Sequence, residues 1–180
     1  RRENALLFGE HLTHGGGAGW DNTMGLRMAA EDELKLRNSI GRVLQMLTER
    51  GIYISAMCVI YASGGGTGSG SAPVVAKISK EINDRIKVLA FPILPLPEEC
   101  KQRAYNSSTS LVFISEFADG VSTVSLEDYM TGGISIDEAY DRVDTALAKF
   151  FTVMFGSEEL PKIKAAVKER LLKLVDRYSR

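Results

Sequence analysis

From Ser63 to Ser71 the chain reads Ser-Gly-Gly-Gly-Thr-Gly-Ser-Gly-Ser, with every residue either a glycine or a hydroxyl. Glycines let the backbone approach a ligand closely. A helix that follows such a run adds partial positive charge at its N-terminus, and together these features suit a phosphate. Thr67, Ser69 and Ser71 alternate with Gly66, Gly68 and Gly70, so the hydroxyls are expected to supplement the amides as donors without adding bulk. A tight strand-to-helix turn with no ligand is the alternative. Gly65 and Gly70 have the spacing of a P-loop, but Ser71-Ala72 stands where that motif needs Lys followed by Ser or Thr. The dinucleotide fingerprint fits poorly too, because Ser71 falls at its third glycine.

Two further pairs have the spacing of a shared helix face. Glu99 and Arg103 are four apart, and so are Tyr140 and Asp144. The first pair could be no more than a surface ion pair of little energetic weight. In the second, a Tyr can stack on a base, and a carboxylate one turn away can accept from the N1–H and exocyclic amine of guanine. His11 and His14 read as solvated loop residues rather than catalysts, and Trp20 as a packing residue beside its loop.

These residues need elements to hold them. The pattern predicts a short strand over 5–8, a glycine-rich loop over 14–19 and a helix over 23–50 closed by Gly51. Residues 52–62 are nearly uncharged and rich in β-branched and aromatic side chains, as expected of a strand buried on both faces of a parallel sheet. A helix begins at Ala72-Pro73, with Val74, Val75, Ile78 and Ile82 on one face. A strand over 86–94, a short helix from Pro97, a strand over 111–114 and an amphipathic helix over 136–155 follow. The alternation argues for an α/β, three-layer, Rossmann-like, doubly wound and mostly parallel sheet, with ligands at the carboxyl ends of the strands.

Composition narrows the function classes. The 180 residues are 44% hydrophobic and 25% charged with net charge −1, which suits a globular domain and gives no ground for nucleic-acid binding. Cys58 lies in an apolar run and Cys100 in a polar one, without the spacing of a disulfide framework or zinc site, so no metal ligands are assigned. The chain is read as cytoplasmic and, since it opens on Arg1, as a piece of something longer. Its domains are taken as 1–155 for ligand binding and 156–180 for a basic amphipathic C-terminal helix. From Pro161 to Arg180 that tail carries seven basic and two acidic residues. It could lie on a membrane surface, but packing on its own domain is the simpler reading.

GGGTGSG followed by APVVA closely resembles the phosphate loop of the tubulin and FtsZ superfamily of assembling GTPases. GEHLTHGGGAGWDN resembles the family's loop that senses the γ-phosphate, PLPEECKQR its sugar-contacting loop, and VFISEF its strand-end loop at sugar and base. With FPILP and FFTVMFG, the wording is most similar to the archaeal CetZ branch. The resemblance implies GTP or GDP together with Mg2+, and self-association into filaments in which GTP is buried between subunits and hydrolysis is completed in trans. It implies phosphate contacts at Gly64, Gly65, Gly66, Thr67, Gly68, Ser69 and Gly70, and γ-phosphate contacts at Gly17, Ala18, Gly19, Asp21 and Asn22. It also places Glu99 on the ribose with Arg103 one turn later, Glu116 in the place of an Asn at sugar and base, and Tyr140 and Asp144 on guanine.

Departures from the family pattern are equally specific. Nothing before Asn4 encodes the family's first strand and first glycine-rich loop, and neither the acidic Asn-x-Asp loop nor the second domain is recognisable after Phe155. Glu158 and Glu159 read as helix N-terminal charges, so no catalytic residue is assigned. The alternatives are a non-hydrolysing nucleotide-binding regulator of the same fold, a Rossmann-type dinucleotide-binding oxidoreductase, and a structural subunit whose loop holds no ligand.

Overall fold

The computed structural model describes residues 5–155. The tail expected as a basic helix over 156–180 lies outside them, as do Glu158 and Glu159. In chain order the elements are α1 (Glu10–Thr13), α2 (Asn22–Glu31), α3 (Glu33–Glu49), β1 (Ala56–Ala62), α4 (Thr67–Ile82), β2 (Lys87–Leu94), α5 (Lys101–Ser115), β3 (Gly120–Val121), β4 (Val124–Ser125), a 3-10 turn (Glu127–Tyr129) and α6 (Ile136–Phe155). The chain divides into two compact units, Arg1–Asp128 and Tyr129–Arg180, the first holding the sheet and the second α6.

All strand pairings are parallel. β1 pairs β2 in the register Val59↔Ala90, and β2 pairs both β3 and β4, with Leu89↔Gly120 and Ile93↔Val124. Alternation along β1 puts Val59 and Tyr61 on one face, where they join Val88 and Ala90 of β2, Ala72 and Ala76 of α4 and Ile114 of α5 in one core cluster. The opposite face is more open: Ile60 is 48% exposed, so β1 is not buried on both faces as its composition suggests. A second cluster joins the helices, with Ala29 of α2, Leu36 of α3, and Val74 and Ile78 of α4.

Several elements differ from expectation. Residues 5–8 form no strand, because no strand among the described residues pairs with them; Phe8 instead packs on the helix cluster. The single helix expected over 23–50 is broken at Asp32, whose Oδ2 accepts from the Gly9 amide at 2.7 Å. α4 starts at Thr67, so the alternating Gly and hydroxyl residues form its first turn and Pro73 sits in its second. Pro97 lies in a turn, and α5 begins at Lys101. Residues 111–114 complete α5 and form no strand. There Ile114 is fully buried while Val112 and Phe113 are exposed, which is helical rather than alternating burial. The strands that follow are β3 and β4, each two residues long.

The end of the sheet remote from the glycine run is closed by Asp119. Its carboxylate ion-pairs with Lys80 of α4 and, at 3.0 Å, with Lys87, and accepts from the Val88 amide at 2.8 Å. The Lys80 bond above all, then those from Val88 and Lys87, holds this carboxyl far below the ordinary carboxylate range. A depressed folded-state pKa gives stability that is present above the unfolded value of 3.8 and lost as pH falls below it. Urea midpoints followed from pH 6 to pH 3 will therefore fall at the acid end in the parent. Asp119→Asn will be less stable at pH 6 and show a shallower acid decline.

Candidate functional site

At the carboxyl end of β1 the chain turns through Ser63–Gly66 into α4. Ser63 is fully buried; its hydroxyl donates to the Ile93 carbonyl at 2.9 Å and accepts from the Ser107 hydroxyl of α5 at 2.8 Å. Gly66 is the N-cap of α4 and supplies no side chain to its first turn. The first intrahelical bond runs from the Gly70 amide to the Gly66 carbonyl at 3.1 Å. The amides of Thr67, Gly68 and Ser69 precede it, and no side chain caps them. An uncapped helix N-terminus is electropositive and offers N–H donors to an anion.

The hydroxyls do not supplement these amides as expected. Ser69 Oγ turns back onto the Gly65 carbonyl and, at 3.3 Å, the Gly66 carbonyl, and Ser71 Oγ donates to the Thr67 carbonyl at 2.7 Å. In a helix the carbonyl of the preceding turn is the nearest acceptor. Thr67 differs: its Oγ1 accepts from the Ala18 amide at 3.1 Å.

The glycines of this run all avoid the left-handed region, so turn conformation does not explain them. Close approach does. A Cβ on Gly66 would lie 2.7 Å from the Asp21 nitrogen, and one on Gly70 only 2.2 Å from the Asn22 carbonyl oxygen. From the other side, a Cβ on Gly25 of α2 would meet the Gly66 carbonyl oxygen at 2.2 Å. These residues are bare because α2 and the loop before it lie directly on the first turn of α4. At Gly68, by contrast, a Cβ would sit 3.2 Å from the Ala62 carbonyl oxygen, tight but not blocked.

The loop on α4 contains Gly17, Ala18, Gly19, Asp21 and Asn22. Gly17 and Gly19 have φ of 70° and 55°, a conformation that glycine adopts readily and other residues rarely. Ala18 is buried, and Gly17 faces Thr67 Oγ1. Asp21 caps α2, its Oδ1 accepting from the amides of Thr23 at 2.9 Å and Met24 at 3.3 Å. Asn22 Nδ2 donates to Thr109 Oγ1 of α5 at 2.7 Å.

Beyond β2, Glu99 and Arg103 do form an ion pair, and Glu99 Oε1 also accepts from the Leu96 amide at 3.2 Å. The Arg103 guanidinium lies over the ring of Trp20, 4.6 Å from its centroid, and a Cβ on Gly64 would sit 3.2 Å from Arg103 Cβ. The 17–22 loop, the 64–70 run and the Glu99–Arg103 pair are thus gathered at one edge of the sheet. His11 is committed to Glu31 at 2.9 Å, away from any catalytic arrangement.

Glu116 is not gathered there. It caps the C-terminus of α5, 13 residues after Arg103, which is about 20 Å along a helix. β4 ends at Ser125, and the buried Leu126 and then Glu127 follow it at the carboxyl edge of the sheet; the β-branched Val121, Thr123 and Val124 were the signal for that strand region. Tyr140 and Asp144 lie on neighbouring turns of α6 in the second unit, Tyr140 partly buried and Asp144 exposed, beside the buried stripe of Ala139, Val143 and Leu147. Asn106, which no sequence motif singles out, is fully buried and donates to the Trp20 carbonyl at 2.8 Å and to the Gly64 and Gly65 carbonyls at 3.2 and 3.4 Å. Its only sequence signal is the polar stripe Asn106, Thr109 and Ser110 at helical spacing.

A family model described as the GTPase domain of the tubulin/FtsZ family matches residues 1–128. Tubulin-like protein CetZ2 of Haloferax volcanii is 29% identical over 155 residues, covering 86% of this chain and 41% of the relative. The cell division protein FtsZ of Buchnera aphidicola is 30% identical over 150 residues, 81% of this chain and 35% of the relative. Among solved structures, GDP-bound monomeric CetZ1 of H. volcanii superposes with TM-score 0.74 at 30% identity, over 84% of this chain and 44% of that one. A GTPγS-bound protofilament of CetZ2 gives 0.73 at 29%, over 86% and 44%. The likeness carries the three-layer α/β fold, and the chain spans about two fifths of the length of these relatives.

The close helix contact yields a direct test. Gly70→Ala forces a Cβ into the Asn22 backbone and should lower the unfolding free energy by about 1–3 kcal/mol, the usual cost of overpacking, as read by urea denaturation. Gly68→Ala, with its more open surroundings, should change stability by less than about 1 kcal/mol.

Proposed function

The chain belongs to the tubulin/FtsZ family through its GTPase domain, and on that premise we propose that it binds GTP and GDP at the loop before α4 and couples the nucleotide to head-to-tail filament assembly. One observation carries the binding reading: the first turn of a 16-residue helix has no side-chain cap and lies at the carboxyl edge of a parallel sheet. A phosphate there accepts from the amides of Thr67, Gly68 and Ser69, with the 17–22 loop alongside through the Ala18–Thr67 bond. Glu99 is assigned to the ribose, with Arg103, held between Glu99 and Trp20, one turn later.

Mg2+ accompanies the nucleotide. Such an ion is coordinated chiefly by phosphate oxygens and water. Assembly draws support from the GTPγS-bound protofilament of CetZ2. Hydrolysis completed in trans needs an acidic loop from the neighbouring subunit, and none is recognisable in this sequence. This chain by itself should therefore turn GTP over very slowly or not at all, with a complete relative that offers such a loop raising the rate by about 10²–10⁴-fold.

Base selection falls to Tyr140 and Asp144, four apart on α6. Guanine presents N1–H and an exocyclic amine as adjacent donors, whereas adenine has an acceptor at N1 and no amine at C2, so a carboxylate meets two donors in one base and a lone pair in the other. An acceptor left against the wrong edge costs about 1–3 kcal/mol, which corresponds to discrimination of roughly five- to 150-fold. Titration calorimetry with GTP and ATP should show that preference in the parent, its loss in Asp144→Ala, and a matched weakening of both nucleotides in Tyr140→Ala, because stacking does not read the hydrogen-bonding edge. Equal affinities in the parent, or an Asp144→Ala protein with undiminished preference, overturn the assignment.

A further inference from the structure

We propose that Asn106 is a positioning residue for phosphate binding, a buried carboxamide that sets from behind the direction of the amide groups in the turn before α4. The inference rests on the nucleotide reading above. Asn106 is fully buried in the first half of α5. Its Oδ1 accepts from Gln102 Nε2 at 3.0 Å, and its Nδ2 faces the carbonyl oxygens of Trp20, Gly64 and Gly65 at 2.8, 3.2 and 3.4 Å. The reverse orientation of the carboxamide would set its oxygen against all three carbonyls, so the network fixes which way it is turned.

In a trans peptide the carbonyl and the N–H of the next residue point in opposite directions. Drawing the Gly64 and Gly65 carbonyls toward α5 therefore turns the N–H groups of Gly65 and Gly66 away from it. Glycine has the greatest conformational freedom of any residue, and these peptides carry no side chain of their own to fix them. Ser63 anchors the preceding residue through its bonds to Ile93 and Ser107, and Asn106 fixes the next two peptides. The same Nδ2 holds the Trp20 carbonyl in the loop beside the first turn of α4. One side chain thus sets two segments of the phosphate site in register.

Asn106→Asp tests this in the full chain. The variant keeps the size of the side chain but loses both N–H donors, and its carboxylate faces three carbonyl oxygens. Burial and those oxygens raise its pKa, and on protonation it regains one O–H donor. Binding of GDP should be weakened at least about tenfold at pH 8, a loss on the scale of a hydrogen bond in a buried site. The deficit relative to the parent should shrink as pH is lowered toward 6. Guanosine, which has no phosphate, should bind parent and variant alike in competition with labelled GDP. If the variant does not fold, the unaltered protein decides: pyrophosphate should shift the glycine-labelled 15N–1H resonances of Gly65 and Gly66 more than those of the remote Gly41 and Gly51. A folded variant that matches the parent at every pH, loses guanosine in equal measure, or shows a deficit independent of pH overturns the inference. So do unmoved Gly65 and Gly66 resonances with pyrophosphate bound. In each of these cases guanine-nucleotide binding by the parent still stands, whereas a parent that binds neither GDP nor pyrophosphate overturns both readings.

Discussion

Two helices can lie backbone on backbone only where neither has a Cβ at the contact, and the site at the edge of this sheet depends on that condition being met at Gly25, Gly66 and Gly70. Helix axes usually pass 8–10 Å apart, at a distance set by the side chains between them. With hydrogen in place of those side chains, α2 comes close enough for the Ala18 amide to reach Thr67 Oγ1 and for Asn22 to reach across to Thr109. A glycine in a helix costs about 0.5–1 kcal/mol relative to alanine. That cost is sustained here at positions where an alanine Cβ would fall 2.2 Å from a backbone oxygen.

The helix that closes the site from the other side is built differently. The inner face of α5 is polar toward the loops, with Asn106, Ser107 and Ser110 all buried, and apolar only at Ile114, where it reaches the sheet. Each polar group has a partner: Ser107 meets Ser63, Ser110 meets the Tyr61 hydroxyl at 3.0 Å, and Asn106 meets the two loops. Burial pushes the Tyr61 phenol above its ordinary value, so it remains a neutral partner for Ser110. A buried network of this kind, once satisfied, favours one arrangement over its neighbours. Apolar contact alone would hold α5 against the sheet without setting its rotation so narrowly.

Long, strongly patterned elements were legible from the residues alone. β2 falls within one residue of expectation and α6 on it, and the glycine run does follow β1, although its second half is the first turn of α4 rather than a loop before it. Short and polar elements were not. Leu111–Val112–Phe113–Ile114 looks like a strand by composition, but three-dimensional context decides: the residues before it are already helical, and only Ile114 has a core to enter. Misplacing that strand moved the expected strand-end contact to Glu116, when the chain returns to the sheet only at Gly120. Strands of two residues carry no periodicity to read. Thr67 and Ser69 look equivalent in sequence, yet one hydroxyl reaches another segment while the other folds back on its own helix, a difference that depends on the loop lying on α4.

The bonds that join these segments also have a kinetic meaning. Asn106 to Trp20 and Asn22 to Thr109 close loops of 86 and 87 residues, against 30 for the Ser63–Ile93 bond that accompanies strand pairing. Closure entropy grows with the logarithm of loop length, so the longer closures cost ~1 kcal/mol more. Contacts of such separation are favoured late, after nearer ones have shortened the effective loop. During synthesis the 17–22 loop must therefore wait, uncaptured, until α5 has emerged about ninety residues behind it, a delay of several seconds at ordinary elongation rates.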